Sequence, residues 1–375
     1  MATSNFLTER ALTKDQAEAA KVFYEALNGD MAAQHRFMEG ISTGDIPVQV
    51  TPILNRIALN GYDAAPTTWQ LWASRMTLPD FESSPYYNFA FEDEVDPDIE
   101  PSTAGTTHVP GTLARIPEYG EYPVLRFSAS EQALKLAKNG VQLKFSWESL
   151  IKTRNFGMIQ RAWTEFGKRA KKTEEIEAVK SLVTGSGLNT ANFNSGNQNL
   201  ATGVANQALS IASLEAAFQQ IGNQTYKGRR ITAPQRYNLL IPRALELTAE
   251  SIKSVTEVRK VEGVGTDTET RTVSGNPVAS KFDIIVVDGL QEVAPSFSDT
   301  SWFLLPKPGS MANDNVVELF LQGHESPEYF VKKNTDSSPE NGDYIDDSYS
   351  QKVRYPVSSG FVSPEGTLYS EGVAA

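Results

Sequence analysis

Closely spaced carboxylates are the groups that bind calcium or perform acid–base chemistry, and one segment of this chain is crowded with them. Within EDEVDPDIE they are Glu92, Asp93, Glu94, Asp96, Asp98 and Glu100. The spacing lacks the glycine and the terminal glutamate of a calcium-binding loop. The two prolines, Pro97 and Pro101, also disfavour a preorganised cage. We therefore interpret the segment as a solvated acidic loop.

The sequence shows no motif for a disulfide, a metal site, a phosphate-binding loop or a catalytic triad. The chain has no cysteine, which excludes disulfides, thiolate zinc sites and cysteine nucleophiles. Its three histidines, His35, His108 and His324, are far apart and form no metal-binding pair. Gly263 and Gly265 follow no predicted strand and precede no predicted helix, so they do not form a phosphate-binding loop. A Ser-His-Asp triad needs no adjacent residues, but nothing singles one out. We predict no catalytic, cofactor-binding or metal site.

The length and net charge of the chain exclude some classes of protein. The chain has 375 residues, enough for two or three domains or one elongated one, and 34 basic against 46 acidic residues give a net charge of −12. Tight wrapping of nucleic acid requires clustered cations, so this balance argues against it. No apolar run is long enough to span a membrane, and the N-terminus lacks the pattern of a secretory signal.

The first hundred residues suggest a helix followed by an arm. Residues 11–40 read as helix, with Thr13 as N-cap and Asn28-Gly29 as a stop. The following segment has little regular pattern, and we expect it to pack Trp69 and Trp72 onto something outside itself.

Residues 114–146 alternate in polarity and indicate strands. Asn139-Gly140 supplies a turn, so we predict a long two-stranded hairpin. An isolated hairpin is marginal in water, which suggests that it lies on another subunit. The residues we expect to make intersubunit contacts are Arg126, Phe127, Lys135, Lys138, Val141 and Lys144. The basic residues among them are expected to face a neighbour's acids, either 92–100 or Asp343, Asp346 and Asp347.

A helix is predicted over 147–183, capped by Ser146 and bent at Gly157. Apolar residues recur every three or four positions, as expected for a buried helix face. The predicted core residues of this helix are Trp147, Ile159, Trp163 and Phe166.

The remaining chain divides into three parts. Residues 184–212 are rich in Gly, Ser and Asn and read as a linker. Residues 213–308 alternate helix and strand, with Ser213 as a helix cap and strands at 237–241, 283–287 and SWFLLPKPG, which indicates an α+β domain. Further strands are predicted at 316–321, 328–331 and 351–357.

This order of elements resembles the major capsid proteins of tailed double-stranded-DNA bacteriophages of the Hong Kong 97 type, most of all the Mu-like branch. EYGEYPVLRFSASEQALKLAKNGVQLKFSWESLIK resembles that branch's extended loop and entry to its spine helix. WFLLPKPG followed by ELFLQGHESPEYFVKKN resembles its return from the axial to the peripheral domain. The resemblance covers about residues 50–365.

The resemblance implies a domain plan and a function. The N-terminal arm would be 1–110, the extended loop 111–146, the spine helix and linker of the peripheral domain 147–212, the axial domain 213–308, and the peripheral strands and C-terminus 309–375. The chain would assemble into hexamers and pentamers of an icosahedral or prolate shell around packaged DNA, without enzyme activity. Some relatives cross-link a loop lysine to an asparagine; Lys135, Lys138 and Lys144 are loop lysines here, and Asn334 and Asn341 lie near the peripheral strands, but we assign no cross-linked pair among them.

The resemblance also implies partners and a location. Besides itself, the chain would meet portal, scaffolding or decoration proteins and, without sequence specificity, packaged DNA. It would be made in the host cytoplasm and reside in the virion capsid, away from membranes. The alternatives are an encapsulin-like nanocompartment shell and a hydrolase with an unrecognised site in 213–308. A gene beside portal and terminase genes would favour the phage, and a small species in solution would favour the hydrolase.

Overall fold

The structure is a computed structural model. The residues that it describes are 21–22, 25–26, 30–36, 47–92, 116, 118–120, 126–146, 156–226, 229–262, 270–331 and 348–373. The chain divides into two compact units, each built from three stretches of sequence. Unit 1 comprises Met1–Thr67, Ala137–Glu174 and Phe320–Val357, and unit 2 comprises Thr68–Leu136, Glu175–Leu319 and Ser358–Ala375.

Helices and strands alternate along the described chain, which confirms the mixed α+β prediction. The helices are α1 (Pro47–Ala64), α2 (Phe156–Lys180), α3 (Ile211–Gly222), α4 (Glu246–Ser254) and α5 (Gly289–Val293). The strands are β1 (Ser74–Leu78), β2 (Ser84–Glu92), β3 (Arg126–Leu134), β4 (Lys138–Ser146), β5 (Val183–Thr184), β6 (Gly187–Leu188), β7 (Thr225–Tyr226), β8 (Arg229–Arg230), β9 (Tyr237–Ile241), β10 (Glu257–Glu262), β11 (Thr270–Gly275), β12 (Phe282–Val286), β13 (Trp302–Pro306), β14 (Val316–Leu321), β15 (Glu328–Val331), β16 (Ser348–Phe361) and β17 (Leu368–Ser370).

Unit 2 is organised around a four-stranded sheet in the order β12, β9, β13, β17. β12 runs parallel to β9, whereas β13 is antiparallel to both β9 and β17. The apolar runs of β9 and β13 are buried at every position, because the sheet is covered on both faces. The strands predicted in 213–308 are therefore confirmed, with β12 shifted by one residue. β17 lies outside that range and was not predicted.

Helix α3 covers this sheet. Ser210 is its N-cap, and its hydroxyl accepts a hydrogen bond from the Ser213 amide in a reciprocal capping box. The prediction that Ser213 is the N-cap is therefore wrong by three residues, because Ser213 is the third residue of the helix (N3). Leu214, Ala217 and Ile221 are fully buried against the apolar residues of the sheet. This spacing of three and four is the buried stripe of an amphipathic helix.

The Asn-rich segment predicted as a linker is irregular but packed into unit 2. Phe193 is buried, with its ring centroid 5.2 Å from that of Phe303 and 5.4 Å from that of Phe361. The buried Asn199 amide donates to the Asn192 carbonyl (2.9 Å). Polar side chains of this kind form hydrogen bonds with backbone groups that have no partner in a helix or sheet. The polar composition of the segment therefore reflects internal hydrogen bonds and not exposure to solvent.

Unit 1 contains a close crossing of α1 and α2. A Cβ added at Gly61 would lie 2.4 Å from the Thr164 carbonyl oxygen, and one added at Gly167 would lie 1.9 Å from that of Ala58. Only glycine permits this approach of two helix backbones. Helix α1 was not predicted, because its segment was interpreted as part of an arm.

Helix α2 confirms the predicted buried stripe. Trp163, Phe166 and Ala170 are buried, which confirms the first two as core residues. Only the backbone of Ile159 is described, and Trp147 lies outside the described residues. Gly157 is the second residue of the described helix, and residues 147–155 before it lie outside the described residues, so the bend at Gly157 stays a prediction. Ser146 is the last residue of β4, its predicted role as a helix cap is not tested because the residues after it lie outside the described ones, and the described length of α2 spans about 37 Å.

Replacing Gly167 with alanine should destabilise the protein by about 1–3 kcal/mol, because backbone atoms of α1 must move away. Alanine is normally about 1 kcal/mol more favourable than glycine in a helix. A lower stability of Gly167→Ala would therefore result from the steric clash between the two helices. Gly222, the last residue of α3, is the matched control, since a Cβ there meets nothing within 4 Å. Urea unfolding should show the loss for Gly167→Ala only. Equal stability of Gly167→Ala and the parent would contradict the close crossing.

The predicted hairpin is wrong in its pairing. β3 pairs antiparallel with β2, from Ser84 opposite Leu134 to Glu92 opposite Arg126. β4 pairs instead with β16. The β2–β3 ribbon is anchored from its base to its midpoint, since the buried Leu134 packs against Gly360 and the side-chain amide of Asn88 donates to the Val362 carbonyl (2.6 Å). The strand β2 therefore belongs to the ribbon and not to a separate arm.

The tryptophans of the predicted arm are buried within this chain. Trp69 is 3% exposed and Trp72 is 2% exposed, so residues of this chain cover both rings. The amides of Thr68 and Trp69 donate to the Glu175 carboxylate at 2.8 and 3.0 Å. The prediction that they pack on something outside is wrong.

The N-terminal helix prediction is confirmed where it is described, at 21–22, 25–26 and 31–36. Asp30 begins the last of these segments, since its carboxylate accepts from the amide of Ala32 (2.9 Å).

Candidate functional site

The residues predicted to contact other subunits lie in two different places. Lys135, Lys138, Val141 and Lys144 are exposed, with Val141 at 39%. Arg126 and Phe127 stand at the far end of the β2–β3 ribbon, opposite Glu92 and Phe91, and only their backbone is described. β3 and β4 do not pair with each other, so the two sets belong to different sheets.

Strand β4 is the edge of its sheet. The sheet has the order β1, β14, β16, β15, and β4 pairs with β16 over nine residues, Lys138 opposite Pro356 to Ser146 opposite Ser348. Among the described residues, no further strand pairs with β4. Its other side therefore presents backbone amides and carbonyls that a further strand can pair with.

On β15 and β16, two cationic side chains lie close to one aromatic ring. The Arg354 guanidinium carbon lies 4.8 Å and the Lys352 ammonium 5.5 Å from the centroid of the Phe330 ring. Arg354 Nε donates to the Glu328 carboxylate (3.0 Å), and His324 also contacts that carboxylate. Partial burial would raise the pKa of Glu328, but the hydrogen bonds from His324 and Arg354 hold it below its ordinary value. Glu328 is therefore ionised at neutral pH.

Register places these groups on one face. Gln142 stands opposite Lys352, Gly140 opposite Arg354, and Phe330 opposite Lys352. Residues directly opposite in antiparallel strands share a face. We name this surface the cationic face, and its residues are Lys138, Lys144, Lys352, Arg354, Glu328 and Phe330.

Sequence reasoning missed Lys352 and Arg354. The signal was available, because QKVRY alternates basic and apolar residues within a strand that was predicted. Lys352 is exposed and Arg354 half-buried, whereas Val353 and Tyr355 are buried. What the sequence did not show was that this strand lies beside β4.

Beneath this sheet, a buried carboxylate joins α1 and α2 to β16. Glu174 is fully buried, and its Oε2 lies 3.0 Å from the Lys171 ammonium. Tyr355 Oη donates to Glu174 Oε1 (2.6 Å), and Tyr62 Oη donates to the same oxygen. The Lys171 ammonium also lies 4.5 Å from the centroid of the Tyr62 ring. We name these four residues the Glu174 cluster.

The electrostatics of the Glu174 cluster keep both phenols protonated. Burial, followed by the hydrogen bond to Glu174, raises the pKa of Tyr62. Burial and the charge of Glu174 raise the pKa of Tyr355. The carboxylate is therefore held by two hydroxyl donors and one ammonium group, which suits a structural tie between elements.

These pKa shifts predict loss of stability in alkali. A tyrosine whose pKa is raised in the folded state contributes stability below about pH 10, its unfolded value, and loses it as pH rises further. The free energy of unfolding should therefore fall above about pH 10. Tyr355→Phe should be less stable than the parent at pH 7 but lose stability less steeply above pH 10. Urea unfolding at pH 7 to 11 measures this, and identical slopes would contradict it.

The described residues offer little for catalysis. Groups of three or more His, Asp or Glu side chains arranged to hold a metal ion are absent from them. A cavity of about 400 Å³ in unit 2 is lined in part by Asn206, Tyr369 and Glu371. The side-chain oxygen of Asn206 there already accepts from the backbone amide of Glu371 (2.8 Å). Gly263 and Gly265 lie outside the described residues, between the antiparallel strands β10 and β11.

None of the described helices is long and apolar enough to cross a membrane. The acidic residues 93–100 and His108 lie outside the described residues, as do Asp343, Asp346 and Asp347.

Comparison with known proteins gives one decisive match. A family model described as "Phage capsid protein" matches residues 130–370. No curated protein matches the chain.

Several solved structures are similar to the chain. A chain from Mycobacterium phage Patience is 12% identical, with 91% of this chain and 87% of that chain covered and a TM-score of 0.44. One from Gordonia phage Cozz is 11% identical, with 83% and 88% covered and a TM-score of 0.45. The holo-SrpI encapsulin complex from Synechococcus elongatus contributes a third, 11% identical, with 80% and 85% covered and a TM-score of 0.41. These are similarities only, and the family match alone carries the assignment.

Proposed function

The chain belongs to the phage capsid protein family, whose model covers residues 130–370, and we propose that its copies form hexamers and pentamers of a closed shell around packaged double-stranded DNA. It is a major capsid protein, a structural component of the virion and not an enzyme. The family match is the observation that carries the proposal. It also favours a phage shell over an encapsulin-like compartment or a hydrolase.

The β2–β3 ribbon is proposed as an arm that reaches a neighbouring subunit. Among the described residues the ribbon is a two-stranded sheet of its own, which is marginal in water without a further surface. Its anchored base is at Ser84 and Leu134, so its far end, at Glu92 and Arg126, is the part that extends. The four residues of β2 beyond the anchored Asn88 span about 13 Å.

The domain plan of the Hong Kong 97-type proteins is proposed with two adjustments. The axial domain of residues 213–308 is proposed to lie within unit 2, around the four-stranded sheet, and to include β17 and the packed segment 184–212; unit 2 also contains β1 and the β2–β3 ribbon. Unit 1, with α2 and β16, corresponds to the peripheral domain. Membership of the Mu-like branch stays a prediction.

The proposed partners and location follow from the same assignment. The shell would receive a portal and scaffolding or decoration proteins, and it would contact DNA only by proximity, in keeping with the charge of −12. Synthesis would take place in the host cytoplasm before assembly.

Shortening the ribbon tests the proposal. Replacing residues 91–127 with a short glycine-containing turn removes the far end while keeping the anchored base. The variant should keep the circular dichroism and melting of the unassembled parent but form no closed shells, because it lacks its intersubunit arm. Electron microscopy checks this, with the parent assembled in parallel as the control. Shells of normal size from the shortened protein would show that the ribbon is not an intersubunit contact.

A further inference from the structure

We propose that the β2–β3 ribbon contacts a second copy of this chain through one of its two faces only, and that this contact is apolar. The inference rests on the proposed function, since it names the face and the chemistry by which the proposed arm holds its neighbour. It differs from the sequence prediction, in which basic residues of this region pair with a neighbour's acids. The register of the ribbon, the exposure of its base and the size of its apolar surface carry the inference.

The register gives the ribbon two faces of different chemistry. Residues directly opposite each other share a face, and so does every second residue along a strand. One face, which we name the aromatic face, consists of Pro85, Tyr87, Phe89, Phe91, Phe127, Ala129, Glu131 and Ala133. The other, which we name the polar face, consists of Ser84, Tyr86, Asn88, Ala90, Glu92, Arg126, Ser128, Ser130, Gln132 and Leu134. Glu131 is thus the single charged residue of the aromatic face.

The polar face is the one that packs against the ribbon's own chain. Asn88 and Leu134 are each 3% exposed, and their partners are Val362 and Gly360. On the aromatic face, every residue whose side chain is described is exposed, namely Pro85, Tyr87, Glu131 and Ala133. A ribbon that packs only against its own chain buries its apolar face, so this orientation is the reverse of the expected one.

The aromatic face is large enough to hold a second subunit. Tyr87 is 48% exposed despite the contact it makes within its own chain, so this end of the face is open to a partner. Phe89, Phe91 and Phe127 continue the face towards the far end of the ribbon. A buried aromatic side chain contributes about 150–250 Å², so four bury about 600–1,000 Å² together. A stable interface buries about 800 Å² on each partner.

A second copy of the chain is the partner that these observations favour. The chain belongs to the phage capsid protein family, so the proposed shell places other copies beside each ribbon in equal number. An apolar surface of this size marks an interaction site, and a two-stranded ribbon is marginal in water unless such a surface is covered. The contacting surface must offer apolar atoms and one hydrogen-bond donor or cation for Glu131.

Photo-cross-linking tests the contact directly. Full-length protein with benzoylphenylalanine in place of Tyr87 keeps an apolar ring there, and it is assembled from equal amounts of ¹⁴N- and ¹⁵N-labelled copies. Mass spectrometry should find links from position 87 to a second copy, with mixed-isotope links as frequent as same-isotope links. The same probe in place of Gln132, an exposed residue of the polar face, should give far fewer links.

The other possible occupants correspond to different results of this experiment. Links only within one copy would assign the aromatic face to residues of the same chain. Shells without links from position 87 would leave the face to a different protein. Either result would overturn the proposal, as would equally frequent links from positions 87 and 132.

Substitutions on the two faces supply the second test. Tyr87→Ser/Phe89→Ser should raise the protein concentration needed for shell formation by at least about tenfold, because it removes apolar contact area. Tyr87→Phe keeps the ring and should assemble like the parent. Gln132→Ala and Arg126→Ala on the polar face should change assembly little. An effect of Arg126→Ala as large as that of the aromatic double variant would show that charge holds the arm, and normal assembly of the double variant would equally overturn the proposal.

The two levels of the account fail in different ways. If the parent protein forms no shells, the proposed function is wrong. If the parent forms shells but position 87 gives no links to a second copy, only the face assigned to the contact is wrong.

Discussion

Replacing Glu174 with alanine is expected to lower the free energy of unfolding by about 3–5 kcal/mol. Glu174 is fully buried and pairs with Lys171, whose side chain is only 12% exposed. Removing the carboxylate leaves a desolvated ammonium without its counter-ion and two phenols, those of Tyr62 and Tyr355, without their acceptor. It also breaks the tie between α1, α2 and β16.

The same helix provides the matched control. Glu165 pairs with Lys168 at 2.8 Å, but both side chains are at least half exposed. Glu165→Ala should therefore cost only about 0.2–1 kcal/mol. Chemical denaturation of the unassembled protein measures both variants. Similar small losses from Glu174→Ala and Glu165→Ala would contradict the buried cluster.

Trp163→Ala is expected to cost about 3–5 kcal/mol, because it leaves a large cavity in the core of unit 1. The Trp163 side chain is fully buried on the stripe it shares with Phe166 and Ala170. The assembly of shells should fail together with folding, since α2 would lose its largest apolar contact.

Two further variants make this result specific. Trp163→Phe should lose less than Trp163→Ala, as the cavity is smaller. Leu247→Ala, on the exposed face of α4 at 79% exposure, should stay within about 0.5 kcal/mol of the parent. A Trp163→Ala protein that unfolds at the parent's denaturant concentration would place that helix face in solvent.

Local patterns were sufficient to predict many elements. The apolar runs of β9 and β13 and the stripe of Trp163 and Phe166 are signals contained within a few neighbouring residues, and the structure confirms them. β14 and β15 also begin and end at the predicted residues. Each of these elements buries a face that its own sequence marks as apolar.

Pairing partners could not be predicted in the same way. β3 and β4 are adjacent in sequence and separated by a short turn, so a hairpin was the simplest interpretation. The structure pairs β3 with β2 and β4 with β16, across long stretches of chain. Alternation shows which face of a strand is buried but not which strand lies beside it. For the same reason, Lys352 and Arg354 were not included in the predicted contact surface, because the pairing of β16 with β4 could not be predicted.

The close approach of the α1 and α2 backbones could not be predicted from the sequence either. Gly61 and Gly167 were not singled out, since an isolated glycine in a helix reads as a weakness. Their role follows only from the crossing with Thr164 and Ala58. The Asn-rich segment 184–212 was similarly interpreted as a linker, because hydrogen bonds such as that from Asn199 to Asn192 join residues whose composition alone suggests solvent exposure.

Electron microscopy of the purified, full-length protein in negative stain tests the central claim most directly. A phage capsid protein should form closed shells of uniform size, or capsomers that convert to shells as concentration or salt is changed. We expect such shells from the parent and none from the protein with a shortened β2–β3 ribbon. A parent protein that stays a small, monodisperse species under every assembly condition would contradict the account.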